Sequence, residues 1–339
     1  ANAIALSLAC GLVFKIAHAL AGRRAAWVAG VIAALNPTLI GYTNYIWDTS
    51  FFALAVTLSV WFSICLRNQP FRPLSFFGFG IWLGMVALLN PALTLVYPLQ
   101  VLFPLWRKVA LPRRSLLGGI GASVLGWMVA IAPWTIRNYV QLDRLQYVRS
   151  GLMLEVWLGV TPEADLAGGD VYRNHFPLLN QEVARHVSDV GERKYLQECG
   201  DLARAAIAEN PIRFAKLVLM RTADHWFGTT LTHAGPKQRV IPATRQRQLI
   251  MVVFTLEVVL IFLGVMSGRL HRPEAWWLLS VIVVFSLVYS ITHVQVRFRV
   301  PIEPLIAVLI GISFAGQQAR VRNGKHRDPA HRCGDGWAT

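Results

Sequence analysis

Residues 113–139 read Arg-Arg-Ser-Leu-Leu-Gly-Gly-Ile-Gly-Ala-Ser-Val-Leu-Gly-Trp-Met-Val-Ala-Ile-Ala-Pro-Trp-Thr-Ile-Arg-Asn-Tyr. Two arginines open the stretch, Ser115 to Pro133 carry no charge, and Trp134, Arg137 and Tyr139 close it. A bilayer core of roughly 30 Å needs about 20 apolar helical residues, with about 17 as the lower limit. Trp and Tyr prefer the headgroup level, and Lys and Arg prefer the cytoplasmic side. The stretch therefore reads as a transmembrane helix that leaves the cytoplasm and ends in an aromatic collar. Working outward, the same pattern recurs at 1–21, 26–44, 50–66, 74–90, 92–106, 249–267, 276–292 and 302–317, the fifth span at 92–106 being short. The expected fold is an all-α membrane protein with about nine transmembrane helices and a mainly helical outer-face domain.

Bases in the short loops set the orientation. Arg23 and Arg24 follow the first span, Arg67 and Arg72 the third, and Arg107, Lys108, Arg113 and Arg114 the fifth. Arg269 and Arg272 follow the seventh, and Arg320, Arg322, Lys325 and Arg327 the last. Every second loop is basic, so these face the cytoplasm. Residues 45–49, the Asn90–Pro91 turn, 134–248 and 293–301 are then outside. Residues 1–133 form the first six spans, 134–248 an extracytoplasmic domain, 249–317 the last three spans, and 318–339 a basic, disordered cytoplasmic tail. Arg137, Arg297 and Arg299 lie outside and depart from the rule. In 134–248, a helix from Glu192 ends at Asn210–Pro211, and Pro211 opens another that runs to Gly228. At about 100° per residue, Arg213, Lys216 and Arg221 share one arc of this second helix. It either lies on the membrane surface or packs on its own domain. Trp157 is expected to be buried near the membrane.

Composition excludes other classes. Of 339 residues, 55% are hydrophobic, and a soluble fold of that composition would expose large apolar patches. A net charge of +15 suggests nucleic acid, but the bases sit in clusters between apolar spans. Membrane topology explains them, and no nucleic-acid partner is expected. Cys10, Cys65, Cys199 and Cys333 show neither CxxC nor zinc spacing, so no metal site follows from them. No P-loop, dinucleotide fingerprint, HExxH or GxSxG triad pattern occurs.

The candidate chemistry lies at the outer ends of the spans. Asp48 precedes the third span, where a carboxylate is costly unless it meets water, a partner or a metal; it also suits a helix N-cap. Arg137 either grips a substrate phosphate or contacts lipid phosphate. In an extended chain His293, Gln295, Arg297 and Arg299 share a face, suited to an anionic headgroup or to lipid anchoring. Glu303 pairs with one of these arginines or favours the N-terminus of the last span. His225 reads as structural.

The segments follow one another in a distinctive order. First come Gly22-Arg23-Arg24-Ala25-Ala26, an Ala-rich span to Asn36-Pro37, and Asp48 before a further span. Then follow Ala132-Pro133-Trp134-Thr135-Ile136-Arg137-Asn138-Tyr139 and Glu155-Val156-Trp157-Leu158-Gly159 with Val160 after it. Asn210-Pro211 through Trp226-Phe227-Gly228 and Arg297-Phe298-Arg299-Val300-Pro301-Ile302-Glu303-Pro304 complete the series. This order resembles the polytopic GT-C glycosyltransferases, and more narrowly it looks like the bacterial branch related to dolichyl-phosphate-mannose protein mannosyltransferases and lipid A aminoarabinose transferase, in which Asn is usual at the place of Val160. The resemblance implies an enzyme of the bacterial inner membrane that takes a sugar from a polyprenyl-phosphate donor on the outer face. Membrane lipid and that donor are the implied partners. The resemblance implies no particular cofactor, and a divalent metal is compatible with the chemistry. The family's hallmark acid lies in the first outer loop; the first span here matches the family's second. That loop would precede Ala1, making the chain a fragment. Asp48 then corresponds to an accessory acidic residue. An acid would deprotonate the acceptor hydroxyl, and basic groups would stabilise the leaving phosphate. Arg137, Arg297 and Arg299 take that role, supported by Glu303, His293 and Trp134.

Two rivals belong to other classes. A secondary transporter calls for internal repeats and broken helices with polar residues at the midplane. No repeat is visible, and the charges within spans are few, with Lys15 and Glu257 as the exceptions. A non-catalytic membrane assembly protein is the other.

Overall fold

A computed structural model describes residues 1–45, 48–106, 108, 112–142, 146, 148, 151–164, 169–228 and 245–315; the expected tail 318–339 lies outside them. Among the described residues the chain forms fifteen α-helices and no strands. They are α1 (Asn2–Ala21), α2 (Arg23–Leu35), α3 (Pro37–Tyr42), α4 (Thr49–Asn68), α5 (Pro73–Leu89), α6 (Tyr97–Trp106) and α7 (Arg113–Leu142). Then follow α8 (Leu152–Leu158), α9 (Gly169–His175), α10 (Gln181–Val190), α11 (Glu192–Glu209) and α12 (Pro211–Phe227). The last are α13 (Arg245–Met266), α14 (Pro273–Ile291) and α15 (Glu303–Phe314). Five of these, α1, α4, α7, α13 and α14, are long and apolar enough to cross a membrane. The protein is an all-α membrane protein.

Other expected spans differ from their sequence reading. The second, expected over 26–44, stops at Leu35 and restarts as the short α3. Pro37 has no N–H to continue α2, and the Asn36 side chain accepts from the backbone N–H of Thr38 and Leu39 at 2.9 and 3.1 Å, which caps the new helix. The fifth begins as a 3₁₀ turn at Pro91–Val96, and α6 itself has 10 residues. The ninth, expected over 302–317, is the 12-residue α15.

The described residues divide into two compact units. The first comprises Ala1–Ala132, Val259–Val284 and the chain from Val300 onward. Its centre is α15, in which every residue from Glu303 to Ser313 is buried. A helix apolar on all sides belongs inside a bundle, and α15 packs against α1, α2 and α4. Close approach depends on small residues. A Cβ on Gly311 would lie 2.6 Å from the Ala25 carbonyl oxygen and 2.7 Å from the Ala29 Cβ. Likewise, a Cβ on Gly84 in α5 would lie 2.6 Å from the Ala130 Cβ of α7, and one on Gly80 would collide with the Ser123 backbone. Gly80 and Gly84 face Gly126 and Ala130, small residues spaced by four on both helices, as membrane helix pairs require. Buried polar groups also join helices: Ser63 donates to Gln100 at 2.6 Å, and Trp82 Nε1 donates to Ser59 at 2.9 Å.

The second unit comprises Pro133–Val258 and Phe285–Arg299. Its core is Leu154, Leu158, Val171, Tyr195, Leu196 and Cys199, with Trp157 half-buried against it. Burial pushes the Tyr195 hydroxyl and the Cys199 thiol above their ordinary pKa. The Arg213–Arg221 arc of α12 turns inward. Arg213 donates to the carbonyls of Val160 and Thr161 at 2.9 and 2.7 Å. Arg221 donates to the carbonyls of Gly159 and Ile291, the ends of α8 and α14. The packed alternative therefore holds for these two arginines, whereas Lys216 is exposed beside Ile212 and Leu219.

Candidate functional site

The second unit carries arginines laid on aromatic rings, on α7 and in the segment that follows α14. This segment leaves the helix at Thr292 and makes a 3₁₀ turn at Val296–Phe298. Tyr289 stacks on Phe298 with ring centres 4.2 Å apart, and on its own helix it meets Phe285 at 5.2 Å. Arg297 is half-buried, its guanidinium 4.9 Å from the Phe298 ring centre. His293 Nδ1 lies 3.2 Å from Glu155 Oε2, so its charge, when protonated, meets a carboxylate of α8. Arg137 is exposed on α7, 4.9 Å from the Trp134 ring centre, and donates to Asn138 Oδ1 at 3.2 Å. Trp134 Nε1 donates to the Val148 carbonyl at 2.9 Å, which fixes the indole.

Arg299 differs from the other two. It is 1% exposed and donates to Glu257 Oε2 at 2.5 Å. It also donates to the carbonyls of His225 and Trp226 at 3.2 and 2.7 Å, and its guanidinium lies 3.7 Å from the Phe254 ring centre. Those carbonyls belong to the last turn of α12, where a helix leaves acceptors unsatisfied and favours positive charge. α12 stops there because Gly228 adopts φ 67°, ψ 31°, and its N–H closes onto the Asp224 carbonyl at 2.7 Å. Arg299 is thus a buried clamp on protein acceptors, not the headgroup-facing cation expected beside Arg297. Its carboxylate is Glu257, the charge noted within the seventh span.

His225 lies beside this clamp, stacked near-parallel on Tyr289 with ring centres 6.4 Å apart. Neither of its ring nitrogens has a hydrogen-bond partner among the described residues. Burial, and then the Arg299 charge, push its pKa down to about 3, so the imidazole is neutral.

The remaining expected residues belong to the first unit. Asp48 is exposed at the N-cap position of α4, but its side chain makes no cap bond. Its backbone is already helical at φ −70°, ψ −9°, whereas a capping Asp needs an extended conformation to reach the first amides. Glu303 is fully buried, opens α15 and accepts from Asn36 Nδ2 at 2.8 Å. It stands at the helix N-terminus, one of its two expected roles, with Asn36 as a partner that the sequence did not suggest. Among the described residues no cluster of His, Cys, Asp and Glu is suited to hold a metal ion. Comparison with protein-family models, curated proteins and solved structures found no match.

Proposed function

We propose that the chain is a membrane glycosyltransferase that moves a sugar from a polyprenyl-phosphate donor to an acceptor at the outer face of a bacterial inner membrane, with 134–248 extracytoplasmic. The observation that carries the reading is the pair of arginines laid on aromatic faces at the outer ends of apolar helices, Arg137 on Trp134 and Arg297 on Phe298. A guanidinium on a ring is weakly hydrated and keeps its N–H edge for a planar oxyanion. A donor with a lipid tail and a phosphate at headgroup level calls for such groups there. In this reading Arg137 and Arg297 bind the donor phosphate. Arg299 positions the Arg297 turn by anchoring it to α12 and Glu257. His293 with Glu155 supports the same turn.

The test uses the purified chain in nanodiscs with a radiolabelled polyprenyl-phosphate sugar. Saturable binding with transfer to an acceptor is expected, and Arg137→Ala or Arg297→Ala should weaken binding at least about tenfold, the worth of one charge-assisted hydrogen bond. Saturable binding without transfer would favour an assembly protein, and no saturable binding would overturn the reading.

One observation favours the transporter instead. The second span is broken at Asn36–Pro37, and the cap of its second half meets the buried Glu303 at the head of α15. Helix ends meeting at a buried polar pair are a transporter feature. Uptake of a solute into proteoliposomes, abolished by Glu303→Gln, would establish that reading.

A further inference from the structure

The helix α12 is built inside out. Arg221, Asp224 and His225 are buried beside Leu217, and Arg213 is half-buried. Its exposed arc is instead Ile212, Lys216, Leu219, Met220, Ala223 and Phe227. At about 100° per residue these six fall within about 100° of one another, and only Lys216 carries a charge. Ile212 is 81% exposed and Leu219 71%. The helix α11 packs on α12 and is built the usual way: Tyr195, Leu196, Cys199 and Ala203 are buried, whereas Glu192, Arg193, Gln197 and Asp201 are exposed. Water is a poor solvent for the outer face of α12, and an apolar stripe of this kind calls for another apolar phase. We propose that the stripe is immersed in lipid, so that α12 lies in the headgroup boundary of the leaflet that α14 reaches at Ile291.

What covers the stripe follows from what holds the helix. Arg213, in the first turn, donates to the carbonyls of Val160 and Thr161. Arg221, farther along, donates to those of Gly159 and Ile291. Arg299 takes the last turn by the carbonyls of His225 and Trp226. The end of α8 itself abuts the end of α14, since a Cβ on Gly159 would collide with the Thr292 carbonyl. All three anchors therefore lead to chain close to the end of one helix that is long and apolar enough to cross a membrane. Leu287 and Ile291 are exposed on that helix, so its lipid-facing surface runs up to the Arg221 anchor.

A helix held along its length at that level meets the boundary between hydrocarbon and headgroups, where lipid is the apolar phase at hand. The long stem of Lys216 lies along the apolar surface, and its ammonium reaches the phosphates. The seat also sets a depth for the neighbouring turn. Arg299 joins α12 to the Val296–Phe298 turn, so the level of α12 in the leaflet fixes that of Arg297. This holds whether or not Arg297 binds a sugar donor.

The experiment places a nitroxide at Leu219→Cys, at Ala223→Cys or, as a control on α11, at Asp201→Cys in a cysteine-free full-length chain. Each is reconstituted at one chain per nanodisc. Collisions with oxygen, which concentrates in lipid, are compared with collisions with a water-soluble nickel chelate. Oxygen should dominate at 219 and 223, and nickel at 201. The unmodified chain gives a reading that no substitution can disturb: a hydrophobic photoreactive reagent dissolved in the bilayer should label 212–227 and spare 192–201. Nickel dominance at 219 and 223 would overturn the proposal. So would exclusion of both reagents there, which assigns the stripe to a second chain or to another segment of this one, or an unlabelled 212–227.

Discussion

Arg299 and Glu257 show how a charge in an apolar run constrains its surroundings. Neither would remain buried and ionised alone, and removing one partner of a buried pair typically costs about 3–5 kcal/mol. Arg299→Ala should therefore lower the melting temperature of the purified protein sharply, whereas Arg137→Ala, on an exposed side chain, should leave it unchanged. Equal melting of the two variants would contradict the clamp. His225 gives a second test. It is neutral in the fold, with its pKa lowered to about 3, while an unfolded His takes a proton below about 6.5. The unfolded state then binds more protons between these values, so stability falls as the pH drops through this window, by about 2 kcal/mol at pH 5 from this group. His225→Phe should keep the stack on Tyr289 and flatten the pH dependence of melting between pH 8 and 5. The sequence drew attention to Glu257 and Arg299 separately, one as a charge within a span and the other as an arginine on the wrong side. It did not join them, because the carbonyls that fix Arg299 come from α12, more than seventy residues away along the chain.

Among the elements, the clearest gap between pattern and structure is the length of the spans. Apolar composition located α1, α4, α7, α13 and α14, since nothing but a long apolar helix produces such runs. It could not separate a helix facing lipid from one facing other helices, so α15 read as a span although its burial marks it as internal. Periodicity placed Arg213, Lys216 and Arg221 on one arc, but it does not say which of them points inward. Two of the three point inward because α8 and α14 end nearby and offer carbonyls. The α5–α7 contact was not read from sequence, since glycines at 80, 84 and 126 have no hydropathy signal. It carries a direct prediction. Gly84→Leu drives a side chain into Ala130 and should cost at least about 1–3 kcal/mol, measured by thermal melting or by loss of folded protein in membranes. Gly118→Leu on α7, where an added Cβ meets nothing within 4 Å, is the matched control.

For the whole molecule, topology is the expectation most open to direct measurement. In a cysteine-free background, a cysteine at the exposed Asp201 should react with an impermeant reagent from outside intact cells. One at the exposed Arg24 should react only after permeabilisation. Labelling of both from one side would reverse the reading of the basic loops. The class of protein was legible throughout the chain because the bilayer imposes its length and charge rules on every span. The candidate residues were legible only as a set expected at the outer ends of spans, because which of them is buried depends on contacts between distant segments.

The enclosed position of α15 has a consequence for biosynthesis. A 12-residue helix is about 18 Å long, too short to cross a bilayer by partitioning into lipid. It leaves the ribosome after α1, α2 and α4, the helices that surround it. Of these, α1 and α4 are long enough to cross on their own, and they must therefore wait, inserted but unfilled, until their centre arrives. A ribosome-arrested chain ending before Glu303 should leave α1 and α4 inserted yet sensitive to protease, and extension past Phe314 should confer resistance in a single step. Gly311→Leu, which blocks docking against Ala25 and Ala29, should hold the completed chain in the sensitive state and mark it for membrane quality control.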